Sequence, residues 1–191
     1  MLKTAMRIRI GALLVFAGLL VVAQAPKSPN KFQQEYLLSF NDAETKVVSL
    51  AKAMPAEKYS WRPGKDVRSV GEVYVHIANG NRLLLGLLNG MPAREAFMKI
   101  VAANERREKT VTGKDEVIAD LVASFQEVHT ALDGATDTDL SKSINLFGQQ
   151  TTQRADYLTI LEHASEHMGQ SIAYARMNGV VPPWSRGQSA P

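Results

Sequence analysis

The sequence predicts an all-α protein, a four-helix bundle preceded by a signal peptide, and three observations carry that prediction. Four separate segments repeat apolar residues at three- and four-residue spacing. No segment shows the alternation of β-branched residues expected of a strand pair, and no internal repeat or low-complexity stretch divides the chain. At 191 residues, with 45% hydrophobic and 21% charged side chains, the composition is that of one globular domain with a short addition.

The addition is N-terminal. Residues Met1–Ala25 run from a basic start (Lys3, Arg7, Arg9) through the apolar stretch Ile10–Val22 to the small-residue ending Ala23-Gln24-Ala25. That order of zones is a secretory signal peptide, cleaved near Ala25, which leaves residues 26–191 as the mature domain in the periplasm or outside the cell. The alternative is retention as an N-terminal anchor. An apolar stretch of 13 residues falls short of the roughly 20 that a spanning helix requires, so no stable membrane insertion is expected after cleavage.

The first helix is expected from about Ser28 to Met54, where Phe32, Tyr36, Leu37, Phe40, Val47, Leu50 and Met54 recur at helical spacing and Pro55 stops the run. The second opens at Ser69, with Glu72 three residues on as a capping box, and carries Val70, Val73, Ile77, Leu84 and Leu88 before Asn89-Gly90 closes it. Arg94–Lys109 has fewer apolar positions (Phe97, Met98, Ile100, Val101) and reads as a short helix, or an extension, on the link that follows. The third bundle helix starts near Thr112–Asp115, shows Ile118, Leu121, Val122, Phe125 and Leu132, and ends at Asp133-Gly134. The fourth starts near Thr151-Thr152, aligns Tyr157, Leu161, Ala164, Met168, Ile172 and Ala175, and terminates at Asn178-Gly179. Each has one apolar stripe and a polar back, so the four must bury their stripes against one another.

Charge excludes one class of partner. Lys3, Arg7 and Arg9 are the only ionisable side chains of the signal segment; without them 19 of the 22 basic residues remain, against 19 acidic ones. A mature chain with no net charge and no basic stripe is not expected to bind nucleic acid. The densest basic run, Arg106-Arg107 and Lys109, is interleaved with Glu105 and Glu108 and reads as a solvated helix face.

Cysteine is absent, which removes disulfides, thiolate zinc sites, cysteine nucleophiles and a lipidated N-terminal cysteine together. There is no G-x-S-x-G elbow, no phosphate-cradling glycine loop and no dinucleotide fingerprint. What remains is histidine: His76, His129, His163 and His167. His163 and His167 stand four apart on the last helix, so their imidazoles project within about 40° of each other and one turn apart, close enough to share one ion. Both flank the apolar stripe, as does His76 on the second helix, beside Val73 and Gly80. Three such histidines would form a metal site with an open position for water or substrate. His129 has no partner at ligand spacing and reads as a half-exposed residue satisfied by water or a carbonyl.

His163-Ala164-Ser165-Glu166-His167 also matches the H-x-x-E-H protease pattern, with glutamate as general base. A protease of that type needs a downstream acidic ligand, and none of the residues after His167 is Asp or Glu. Glu166 remains a tentative catalytic helper, as a carboxylate behind a ligand or as a proton acceptor, against the plainer reading of a solvent-facing helix residue.

Two stretches carry a resemblance. Trp61-Arg62-Pro63, Arg68-Ser69-Val70-Gly71-Glu72 and His76-Ile77-Ala78 resemble the loop and second helix of the DinB-like family of bacterial four-helix proteins. His163 through Gln170, continuing by Tyr174 and Arg176-Met177-Asn178-Gly179 to Val181-Pro182-Pro183, resembles that family's last helix and tail. The resemblance implies a bundle with an unusual helix order, a homodimeric habit, and a divalent metal, zinc or nickel, held by the residues that match here as His76, His163 and His167. Some members activate a low-molecular-weight thiol, as the thiol S-transferases and the mycothiol-dependent maleylpyruvate isomerase do; many have no known reaction. Export argues against thiol transfer, because reduced thiols are scarce outside the cytoplasm. The expected function is therefore a metal-dependent hydrolase or group transferase acting on an unidentified small molecule. The alternative is a noncatalytic bundle that holds a metal or a small apolar ligand.

Overall fold

The computed structural model describes residues 29–187. The expected signal peptide, Met1–Ala25, and the expected helix start at Ser28 lie outside the described residues.

Helix α1 (Lys31–Ala53) starts at a reciprocal cap: the Asn30 side chain accepts from the Gln33 backbone N–H, and the Gln33 side chain accepts from the Asn30 N–H. Helix α2 (Val70–Leu87) starts at the Ser69/Glu72 capping box expected from sequence. Helix α3 spans Arg94–Thr110, α4 Lys114–Gly134, the one-turn α5 Asp137–Leu140, and α6 Gln153–Met177 with Thr152 as its cap. Strands β1 (Ser143–Leu146) and β2 (Gln149–Thr152) form an antiparallel hairpin in the link to α6.

Four long helices make the bundle, and their order is not sequential. Both α1 and α2 pack on α4 and α6, so the first two helices share neighbours instead of lying side by side. The Pro55–Ser69 link makes this possible by crossing one end of the bundle, pinned where the Val70 and Gly71 N–H groups donate to the Trp61 and Tyr59 carbonyls. At the same end the Lys114 ammonium donates to the Lys52 and Met54 carbonyls and so closes the C-terminus of α1. The core is aromatic and aliphatic: Tyr36, Phe40, Phe125 and Tyr157 contact one another at centroid distances of 5.1–5.9 Å, among Leu121, Val128, Leu132 and Ile160. Each large side chain buried there contributes about 1.5–3 kcal/mol. No helix among the described residues is long and apolar enough to cross a membrane.

Four sequence expectations need correction. Arg94–Lys109 is helical as expected, with Thr110 completing 17 residues, but it lies over α2 as a docked helix and not as an appendage on a link. Its Met98 and Ile100 are exposed, and it docks through polar groups: Arg107 donates to Asn79 and Asp120, and Lys109 to Glu72. Helix α2 has no polar back, because α3, α4 and α6 surround it and bury Val73 through Val75 and Ile77 through Asn81. A strand pair does exist. Its apolar alternation is only Ile144 and Leu146, too short to register as a pattern, and its turn has positive φ at both Phe147 (52°) and Gly148 (89°), the geometry of a tight hairpin turn. The single turn α5, capped by Thr136 and Asp139, was equally below the reach of periodicity.

A few buried polar atoms have no hydrogen-bond partner among the described residues, the hydroxyls of Tyr36 and Tyr74 among them, and one of the residues concerned is a carboxylic acid. Asp156, in the first turn of α6, is fully buried, and neither carboxylate oxygen has a hydrogen-bond partner among the described residues. Burial pushes its pKa up to about 7, and the neighbouring phenols of Tyr36 and Tyr157 stay protonated because burial raises them too. Between the unfolded value of about 3.9 and about 7 the folded state holds the extra proton, so stability is full below pH 4 and falls as pH rises to 7. Asp156→Asn should therefore match wild type in thermal melts at pH 4 and exceed it at pH 8, by on the order of a few kcal/mol, or several degrees in Tm. Equal melting of the two proteins at pH 8 would show that the carboxylate is ionised and compensated in the fold.

Candidate metal centre

The α2–α6 contact builds the site. The capping box fixes where α2 begins, and His76 follows two turns later on the side that meets α6. His163 and His167 lie one turn apart in the middle of α6, and the three rings converge: centroid separations are 5.0 Å for His76–His163 and 4.6 Å for both pairs that include His167. One ring nitrogen from each lies within 4.8 Å of the others, and Nε2 of His76 faces Nε2 of His163 at 3.3 Å. Two nitrogens bound at 2.0–2.1 Å to one tetrahedral ion stand about 3.3 Å apart, so this edge already has the length such an ion requires.

The far nitrogens decide which way the lone pairs point. Nδ1 of His76 lies 2.7 Å from Glu108 Oε1, while Glu108 Oε2 accepts from Arg68 Nε at 2.7 Å. Burial pushes the Glu108 carboxyl up, but the hydrogen bonds from His76 and Arg68 outweigh it and hold the group below its ordinary value. An ionised Glu108 can only accept, so the shared proton sits on His76 Nδ1 and Nε2 presents its lone pair to the cluster. On α6, Nδ1 of His167 lies 2.9 Å from Gln170 Oε1, and the Gln170 amide donates on to the Tyr174 hydroxyl. That leaves Nε2 of His167 for the cluster as well.

Burial, followed by the neighbouring His167 and His76, lowers the His163 pKa to about 3, and burial is also the main cause that lowers His167. Both rings are neutral at pH 7, the state in which imidazole is a ligand. The donor set fits a divalent cation: neutral imidazoles from two rigid helices, two of them held in one orientation from behind. The third, His163, has a buried Nδ1 with no hydrogen-bond partner among the described residues, so its ring is held by packing.

That packing depends on Gly80 of α2. A Cβ built at Gly80 would lie 2.1 Å from His163 Cε1 and 2.6 Å from Nδ1, well inside contact distance. Any side chain there evicts the ring, and glycine is what allows α2 and α6 to hold an imidazole between them.

The structure thus brings together the three histidines singled out from sequence and leaves the fourth apart. His129 lies between α1 and α4, with Nε2 2.7 Å from Glu44 Oε2 and its ring edge-on to Phe40; its partner is a carboxylate, not the water or carbonyl expected. Glu166 is exposed on α6 and has no hydrogen-bond partner among the described residues. The carboxylate behind the cluster is Glu108, which the sequence reading placed on a solvated face. A signal for it existed: Phe97, Val101, Asn104 and Glu108 follow i, i+4, i+7 and i+11 spacing, so Glu108 extends the inward stripe of α3.

Gly80→Ala should keep the helical circular-dichroism spectrum of wild type while lowering affinity for added zinc or nickel by at least about 10-fold, since the new methyl displaces one ring of three. Calorimetric titration with wild-type affinity in the alanine variant would show that the ring has room to move without leaving the cluster.

Comparison with known proteins agrees with this architecture. The sequence model of the DinB superfamily matches residues 39–171, a segment that includes all three clustered histidines. A solved DinB-like protein from Bacillus subtilis has a TM-score of 0.57 and 19% identity, over 78% of this chain and 93% of that one. Another, from Bacillus cereus ATCC 10987, has a TM-score of 0.60 and 18% identity, over 78% of this chain and 95% of that one. At such identities the likeness is one of fold. No curated protein sequence matches the chain. With the family model covering well over half of its length and the same helical architecture in both solved proteins, the chain belongs to the DinB superfamily.

Proposed function

We propose that the protein binds one divalent metal ion, zinc or nickel, through Nε2 of His76, His163 and His167, and that it is a metal-dependent hydrolase or group transferase. The observation that supports this is the convergence of three imidazoles whose neutral state and lone-pair direction are set by burial, by Glu108 and by Gln170. When bound, such an ion acts as a Lewis acid toward water or a substrate oxygen. The chain's own part is positional. Glu108 holds the proton of His76 at Nδ1, Gln170 holds the His167 ring, and Gly80 keeps His163 in place. Three protein ligands leave a coordination position for a substrate or solvent molecule, as catalytic sites do and closed structural sites do not. We place the protein outside the cytoplasm on the strength of Met1–Ala25, and hydrolysis ahead of thiol transfer for the same reason.

Metal analysis tests the assignment. The purified mature protein should carry about one divalent ion per chain; His163→Ala should lose it, His129→Ala should keep it, and Glu108→Gln should weaken it about 10- to 100-fold. Glu166→Ala should leave the ion in place. A fall in its hydrolysis of p-nitrophenyl esters at full metal content would identify Glu166 as the helper. Equal metal content in wild type and His163→Ala would end the ligand assignment.

A further inference from the structure

We propose that Phe97 and Phe147 form a clasp that sets the direction of α3, which makes both of them positioning residues for Glu108 and, through it, for His76; only the last step rests on the metal reading above.

The β1–β2 hairpin turns on two residues, Phe147 and Gly148, between the paired Leu146 and Gln149. With positive φ at both, the turn is of the kind whose first position favours asparagine, aspartate or glycine. The Asn145 side chain supports it by accepting from the Gly148 N–H at 2.9 Å. A phenylalanine at φ 52° is strained there, because its Cβ crowds the backbone. Burial does not account for the choice, since the side chain is 54% exposed and stands outside the core. What the ring meets is Phe97 of α3, edge-on, with centroids 6.2 Å apart and planes at 72°. A strained residue that keeps an aromatic ring in this position points to the contact as the reason for it.

Phe97 is half-buried and opens the inward stripe of α3 that ends at Glu108. Among the described residues, every hydrogen bond and ion pair from α3 to another element comes from Asn104–Lys109, at the opposite end of the helix. The first turn has no side-chain cap, with Ala93 at the cap position, and Met91 on the link from α2 packs against the core. The helix therefore pivots where it leaves that link, and the ring contact one turn later fixes its direction. Strand β2 runs straight into Thr152, the cap of α6, so the clasp ties α3 to the base of the helix that carries His163 and His167. Glu108 lies 11 residues beyond Phe97, about 16 Å along the axis. A tilt of about 10° at the clasp moves Glu108 by roughly 3 Å on that lever, enough to break its 2.7 Å contact with His76.

The test replaces Phe147 with asparagine, which gives the turn its favoured Asn-Gly pair and removes the ring. In metal-free Phe147→Asn, hydrogen exchange of the α3 amides should be at least about 5-fold faster than in wild type, while the amides of α1 and α4 keep their rates. Affinity for added zinc should fall at least about 3-fold. Phe97→Ala should do the same, the double variant should change little further, and Phe147→Tyr, which keeps a ring, should behave as wild type. Exchange of α3 within twofold of wild type in Phe147→Asn would overturn the clasp. So would equal acceleration in α1, α3 and α4, because the ring would then support the whole fold. Faster α3 exchange with wild-type zinc affinity would overturn the link to Glu108. A wild-type protein that takes up no zinc would overturn the metal reading, and the exchange comparison would still decide the clasp.

Discussion

The close approach of α2 and α6 at Gly80 is the constraint on which the site depends. Two helices with ordinary side chains at their contact are held about 8–10 Å apart by those side chains, and an imidazole cannot also be buried at that point. Removing the side chain from one helix makes room for the ring of His163, whose Cε1 occupies the space a Cβ would need. The same contact sets the separation between His76 and the α6 pair, so one glycine fixes both the depth of one ligand and the distance to another. Consecutive helices joined by a short turn would lie side by side. Here the long link between α1 and α2 carries α2 across the bundle end to its place between α4 and α6, where this contact forms.

What was legible in the sequence follows from how each element is stabilised. The bundle helices were legible because apolar burial leaves a periodic trace, and the start of α2 because Ser69 and Glu72 must both be present for a reciprocal cap. The histidine trio was legible in part: the i, i+4 pair on α6 is a local spacing, whereas the meeting of His76 with it depends on packing, which its place at the edge of an apolar stripe pointed to and the resemblance supported. The extent of helix α3 was legible to within a residue, but its docked face was read as solvated because its contact with α2 is made by Arg107, Glu108 and Lys109, and a polar contact looks like solvent exposure when only hydrophobicity is counted. The hairpin and α5 were missed because two buried residues in one and one in the other are too few to form a period.

The misread helix also carries the residue that most changes the chemistry. Glu166 drew notice from its place in a five-residue pattern, yet it is exposed, and a carboxylate in water neither fixes a tautomer nor has its charge concentrated on one partner. Glu108 is 5% exposed and divides its two oxygens between an imidazole and a guanidinium. Burial alone would favour its neutral form, which could then donate to His76 and turn the lone pair of that ring away from the cluster. The hydrogen bonds from His76 and Arg68 prevent this by keeping Glu108 ionised, and Arg68 so acts on the ligand geometry of a histidine to which it makes no hydrogen bond.

This arrangement ties the site to the least apolar part of the fold. Helix α3 reaches the bundle through Arg107–Asp120, Lys109–Glu72 and Arg68–Glu108, pairs in which one member is buried or nearly so and the other is 37–63% exposed. Half-exposed pairs of this kind contribute roughly 0–1 kcal/mol each, far less than the aromatic core beneath them, and salt weakens them further. Undocking α3 would therefore cost much less than unfolding the bundle, and it would remove Glu108 from His76 while His163 and His167 stayed in place on α6. Orientation of one ligand in three is thus coupled to a docking equilibrium, whereas the position of the other two is coupled to global stability.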